Sequence, residues 1–578
     1  MRWDDFVEGG YSDMNKMAFG RFVFPEIWCT ALAIVAAAAC QTQPDDAGNG
    51  EAGAATQAID ATSARGGGGD GGGGDGGGGD GGGGSGGLRP LSSEPVPRPV
   101  GGHIVDQAAA VRLGKALFWD IQAGGDGQTA CASCHFAAGV DTRRINTLFP
   151  GFDKRFASGG VTGPGQLFTL VNIVNDDRVG SQGVASETFA GIDPDPAQAA
   201  DQCVAAPDPV FGTERQVTAR NAPTVIGAAL FRDAFWDGRA NHAFNGLDPF
   251  GTTGNASGAL AQVGDSPLAS QAVGPALNPV EMSCARRPFN GPGSLGSKLL
   301  ARPALQFQQV ATGDGVLGAL ANPAGPGLVC GGVSCGYTDL VRAAFGDALA
   351  TGAEASFSLI WGEAIQAYEA TLVPDQTPLD RYLAGNSSAL TSQQQRGLDR
   401  FSGKGNCTKC HAGALLSDAS ASFFAANGAI NRDGGDQGFH NLGVRPTADD
   451  LGRAGLGPAG ATFSVSGAAS DRGAFKTPGL RNVKLTAPYF HNGGKATLAD
   501  VVAFYARGGD FANPEKARDL QPRSLDADDQ AALVEFLTNG LTDCRVEMQR
   551  APFDHPALPL PNGTDVPAIG ASGLGSCP

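Results

Sequence analysis

The chain has 578 residues, 42% of them hydrophobic, which is ample for two cores of ordinary size. A formal charge of −17 argues against nucleic acid as a partner, because phosphate binding needs clustered Lys and Arg. An acidic surface suits a basic protein partner, or simple solubility.

The amino terminus reads as a targeting signal. Lys16 and Arg21 precede "IWCTALAIVAAAAC", an apolar run too short to span a bilayer that ends in small residues before Cys40. A bacterial lipoprotein signal ends in this way. The expectation is therefore a signal peptide over 1–39, a lipid on the Cys40 thiol, and a periplasmic protein tethered to a membrane face; an ordinary signal peptide or an uncleaved anchor are the alternatives. Asp4, Asp5, Glu8 and Asp13 are out of place in a basic leader, which points to Met14 or Met17 as the true start. Residues 40–96 follow as a linker. Its repeat, Gly66 to Gly87, cannot bury apolar surface and lacks the regular apolar positions of a calcium-binding β-roll. As a flexible coil, about 55 residues span roughly 40 Å.

Residues 108–120, "AAAVRLGKALFWD", place apolar side chains at helical spacing and lead to "CASCH" at 131–135. Two cysteines two residues apart with a histidine directly after the second suit c-type haem attachment: the thiols add to the porphyrin vinyl groups and the histidine becomes the proximal ligand. "CTKCH" at 407–411 repeats the pattern. A zinc site wants further paired ligands nearby, and a redox dithiol gains nothing from the trailing histidine. Two covalently bound c-type haems are expected, on Cys131, Cys134 and His135 and on Cys407, Cys410 and His411. Outside the leader, Cys40 and these motifs, six cysteines remain: Cys203, Cys284, Cys330, Cys335, Cys544 and Cys577. In an oxidising compartment they make three disulfides, and the nearest pairing in sequence, 203 with 284, 330 with 335 and 544 with 577, is one of fifteen connectivities.

Further helices are expected at "SFSLIWGEAIQAYEATL" (356–372) and "DDQAALVEFLTNGL" (528–541). Between them Thr497 with Asp500 can cap a short helix that Gly508 ends, with Leu498, Val501, Val502 and Tyr505 on one face. No run of alternating strands emerges. The expected fold class is mainly α: two cytochrome c-like haem domains with long loops, over 97–375 and 376–578, preceded by a disordered Gly-rich tether.

"LGKALFWD" before the first motif, "RNAPTVIGAALFRDAFWDGRA", "NPVEM", the second motif and "FKTPGLRNVKLTAPYFHNGG", in this order between about 106 and 540, resemble the bacterial di-haem cytochrome c peroxidase family. That family includes MauG, which completes a tryptophan-derived quinone in another protein, and the haem rubber oxygenases. The resemblance implies a peroxidatic N-terminal domain and an electron-transfer C-terminal domain. Hydrogen peroxide would be reduced at the His135 haem, with electrons from a small cytochrome c or cupredoxin arriving through the His411 haem. On the open face of the first haem it implies Glu281 as the acid–base group and Gln271 as its companion. Trp236 would carry electrons between the haems. Asn221, Thr486 and the carbonyl of Pro488 would hold a calcium ion. Rival readings are a MauG-like protein-modifying oxidase, a rubber-oxygenase-like dioxygenase, and a plain electron carrier.

Two departures from the family matter. Many of its peroxidases keep a histidine on the open face of the first haem, yet none occurs from 136 to 241, so that haem is expected to be open, with His242 the nearest candidate to contradict this. At the second haem the peroxidases use methionine and MauG tyrosine. The matching position, fourteen residues after His491, is Tyr505, and beyond the leader only Met282 and Met548 occur. If Tyr505 were a core residue instead, His440, His491 or His555 would ligate.

Overall fold

The computed structural model describes residues 87–251, 258–458 and 460–577. The expected signal peptide, Cys40 and nearly all of the Gly-rich repeat lie outside the described residues. Packing starts directly after the repeat. Leu91 is fully buried and its amide donates to Asp380 Oδ1 at 2.8 Å. This corrects the linker boundary drawn at 96: an apolar side chain and a buried carboxylate dock residues 88–96 onto the body.

Helices dominate. The first is α1 (Gln107–Trp119), whose Ala109 amide is capped by Asp106. The first cysteine motif forms a single turn, α2 (Ala132–His135). Next come α3 (Pro267–Ala272), α4 (Tyr337–Thr351), kinked at Gly346 where φ is 76°, and the wholly buried α5 (Phe357–Glu369). The second half contains α6 (Ser392–Ser402), α7 (Leu498–Arg507) and α8 (Ala527–Glu535), which runs on through a wide turn over Phe536–Gly540. α7 has the expected ends: Thr497 and Asp500 cap each other's amides, and Gly508 closes it at φ 80°. Among the described residues no helix is long and apolar enough to cross a membrane.

Sheet is confined to five two-stranded pieces among the described residues. The longest is a hairpin of β1 (Glu187–Ile192) and β2 (Asp201–Ala205). It was not expected, because both strands are half exposed and their pairing shifts register at Gly191, so no clean apolar alternation marks them. Disulfides join Cys203 to Cys284, Cys330 to Cys335 and Cys544 to Cys577, the nearest-neighbour pairing.

Each half is organised around one tight helix crossing. α1 meets α5 at Gly114, where a β-carbon would sit 1.9 Å from the Ala364 carbonyl oxygen and 2.9 Å from Tyr368 Cβ. α6 meets α8 at Gly397, where it would sit 2.2 Å from the Ala532 oxygen and 2.5 Å from Phe536 Cβ. Only glycine permits such an approach. Four residues beyond each glycine stands a phenylalanine, Phe118 or Phe401. Phe118 packs edge-on to Tyr368 at 5.5 Å and 61°, and Phe401 lies against Phe536 at 5.6 Å and 60°.

The last thirty-odd residues return to the first half. Val546, Phe553, Leu558 and Leu560 join the apolar cluster built on α1 and α5. Lys115 of α1 pairs with Asp314 at 2.8 Å and with Asp554 at 3.4 Å, all three side chains fully buried. Such a cluster is strongly destabilising to break, since the remaining charge would be left unpaired in the interior.

Candidate active site

The helix crossings position the two histidines alike. The His135 ring lies 6.4 Å from Phe118 at 44°, and the His411 ring 6.4 Å from Phe401 at 45°. Nδ1 of His135 faces the Gly139 carbonyl at 2.8 Å, and Nδ1 of His411 the Leu416 carbonyl at 3.0 Å. A carbonyl can only accept, so each Nδ1 carries the proton and Nε2 keeps its lone pair, the tautomer a metal-ligating histidine needs. Burial lowers both ring pKa values, keeping the imidazoles neutral. Cys131, Cys134, Cys407 and Cys410 are the cysteines left unpaired among the described residues. Unpaired thiols two by two, each pair followed by an oriented imidazole, fit two haems.

One cavity of about 300 Å³ connects the motifs: His135 and His411 both open onto it. Trp236 stands on its wall, its indole Nε1 donating to the Asn221 carbonyl at 2.8 Å. Its ring is edge-on to His491 at 6.5 Å, and His491 stacks on Phe475 at 3.5 Å. Arg220 braces this wall with ion pairs of 2.6 Å to both Asp237 and Asp450. Lys476, whose amide donates to the Trp236 carbonyl, holds its ammonium 3.3 Å from the centre of the Phe231 ring, and burial pulls its pKa down to about 7.

The expected face of α7 lines the second-motif side: Leu498, Val501, Val502 and Tyr505 all border the cavity. Burial raises the Tyr505 pKa, and the neighbouring Cys410 and Cys407 raise it further, so the phenol lies beside the second motif. Gln271, on α3, borders the same cavity as His135. Glu281 is set back from that wall. Asn278 Nδ2 reaches its Oε1 at 3.3 Å, burial raises its pKa against the pull of Arg239, and its charge is felt at both Cys131 and Cys134.

Asn221, Thr486 and Pro488 come together on the same cavity. The Asn221 amide nitrogen donates to the Pro488 carbonyl at 2.7 Å, so as folded a donor rather than an oxygen faces that carbonyl, which does not suit calcium. His242 does not border the cavity: Asp233 Oδ1 lies 3.0 Å from its Nδ1, and its Nε2 meets the Arg232 guanidinium at 2.6 Å. His440 borders it but its Nε2 faces Asp418 at 2.8 Å, and His491, also a border residue, is held at a pKa of about 3 by burial. His555 lies away from it, stacked on Trp119 at 4.7 Å.

Two repeated helix crossings, each beside a cysteine pair whose following histidine opens onto a common cavity, define a protein built for two haems. The family model for di-haem cytochrome c peroxidase matches residues 108–388, so over these residues the chain is similar to that family. Similar relatives include the cytochrome-c peroxidase IdrP1 of Denitromonas iodatirespirans, 36% identical over 198 residues, or 30% of this chain and 47% of the relative. The methylamine utilization protein MauG of Methylorubrum extorquens is 30% identical over 202 residues, 35% of this chain and 48% of that protein. Cytochrome c551 peroxidase of Pseudomonas aeruginosa is 31% identical over 322 residues, 55% and 63% of the two chains. The chain thus spans about half the length of the first curated relatives it matches.

Proposed function

We propose that the chain is a peroxidase that reduces hydrogen peroxide at a haem held by Cys131, Cys134 and His135, with electrons relayed through a haem held by Cys407, Cys410 and His411. The observation that carries this reading is the cavity onto which both oriented histidines open and which Trp236 also borders. Bound haem iron supplies the centre at which the peroxide bond is reduced. Each peroxide takes up two electrons and two protons to give two waters, so the protein must deliver protons beside the first iron. Glu281 suits that role because burial raises its pKa towards the working range of a proton donor, and Gln271 on the cavity wall orients the oxygen.

In this reading Trp236 would conduct between the two centres, and Tyr505 together with His411 would hold the second haem. The absence of any histidine from 136 to 241 supports an open first iron. A calcium ion would require the Asn221 amide to turn its oxygen to Pro488. The peroxidatic domain covers 97–375 and the electron-transfer domain 376–578, with the tail returning to the first. The protein is exported to the periplasm and lipid-anchored at Cys40, and a small cytochrome c or cupredoxin is the donor. Tyr505 favours one second reading, a MauG-like oxidase that modifies another protein. Stopped-flow mixing of peroxide with holoprotein and a reduced small cytochrome c tests the proposal. Donor oxidation at two electrons per peroxide supports it; a Soret band unmoved by peroxide refutes it in favour of an electron carrier, and peroxide consumption without donor oxidation favours the oxidase.

A further inference from the structure

The two halves repeat each other in packing but not in chemistry. Where the second half has Ser402 and Phe536, the first has Trp119 and Tyr368. Trp119 Nε1 donates to the Tyr368 hydroxyl at 3.1 Å, and the indole lies parallel to the His555 ring, 10° apart. These side chains are 4%, 2% and 2% exposed, and all three border a second, small cavity of about 30 Å³ onto which His135 also opens. Phe118 fills the space between, its ring 6.4 Å from His135 and 6.2 Å from Trp119. The cavity has room for a water, with His135, Tyr368, Gln549 and His555 as polar neighbours.

Indoles and phenols are among the side chains most readily oxidised by one electron. Tyrosine must lose its proton in the process, whereas tryptophan can retain a positive charge. The buried cluster beside them holds one ammonium, Lys115, against two carboxylates, Asp314 and Asp554, whose field reaches Tyr368. Burial and that field both keep the Tyr368 phenol protonated, so its hydroxyl stays in place to accept the indole N–H.

We propose that Trp119 is a reserve electron donor to the first haem site, acting when no external donor reaches the second. This rests on the peroxidase reading above, and hydrogen peroxide is the oxidant. Trp119 gives up one electron as a radical cation, keeping its N–H on Tyr368. When an external donor is present, one electron restores it. When none is present, a water adds to the ring as a second electron and two protons leave. Peroxide and tryptophan then give hydroxytryptophan and water, with both electrons and both protons accounted for.

Holoprotein is treated with peroxide without a donor, followed by Soret spectroscopy, electron paramagnetic resonance and tryptic mass mapping. The expected result is an organic radical signal and a gain of one oxygen on Trp119, both suppressed by added donor. Trp119→Phe should lose the signal, and Tyr368→Phe, which keeps the ring, should change its hyperfine pattern. Mapping of the wild-type protein stands even if a variant fails to fold. A Soret response with Trp119 unmodified and the radical unchanged in Trp119→Phe overturns this inference alone. A Soret band indifferent to peroxide overturns the peroxidase reading and this inference with it.

Discussion

Glu369, the last residue of α5, is 1% exposed, and its Oε2 has no hydrogen-bond partner among the described residues. Burial raises its pKa from the usual 4.5 to about 8. The folded state therefore binds this proton more tightly than the unfolded chain does. The resulting stability is complete below pH 4.5 and is lost as pH rises through about 8. At ~1.4 kcal/mol per pH unit the loss amounts to about 5 kcal/mol as an upper bound. Glu369→Gln removes the titration and keeps the shape, adding a roughly constant cost of about 1–3 kcal/mol for a buried amide without partners. Urea unfolding of the two holoproteins, followed by far-ultraviolet circular dichroism between about pH 5 and pH 9, isolates the effect, because every other titration cancels in the difference. The variant should gain on the wild type steadily with rising pH and then level off. A pH-independent difference would refute the assignment of Glu369 as a carboxyl held neutral by burial.

Glu281→Gln should leave both haems attached and slow peroxide turnover by roughly 10²–10⁴-fold, as loss of a positioned acid–base group does; steady-state donor oxidation measures this. Tyr505→Phe should alter the magnetic circular dichroism of the ferric protein, while a methionine-to-iron charge-transfer band in the wild type would rule tyrosine ligation out. Nonreducing mass mapping should find the pairs 203–284, 330–335 and 544–577 and no free thiol among them. Removing the first pair, which closes a sequence separation of 81 residues, should cost about 4–5 kcal/mol in denaturant unfolding by loop entropy.

Features written in short stretches of sequence were legible. The α7 helix was readable because Thr497, Asp500 and Gly508 are local caps, and its Tyr505 face because four side chains recur at helical spacing. Three disulfides were readable from six remaining cysteines, but their pairing was one of fifteen until the structure joined each cysteine to its nearest neighbour. The repeated glycine and phenylalanine, Gly114 with Phe118 and Gly397 with Phe401, escaped notice although both motifs were found. Cys131 follows Phe118 by thirteen positions but Cys407 follows Phe401 by only six, so no fixed spacing aligns the two copies. A search for Gly-x-x-x-Phe on the helix before each cysteine pair would have found them. Glu369 and Lys476 could not be singled out, because a carboxylate or ammonium at a helical position reads as solvated until its burial is known. The pairing of Lys115 with Asp554 spans 439 residues and has no local trace at all.

That long-range pairing imposes an order on folding. The first motif is made before the second, but Asp554, His555 and Phe553, which close the pocket behind it, are made only after both. The second motif has its helix crossing, α6 with α8, complete by residue 540. Folding therefore runs against chain order: the upstream pocket waits for residues 553–555, while the helix crossing of the downstream one forms from residues 392–540. A chain truncated after 543 would keep the later-made pocket and lose the back wall of the earlier one.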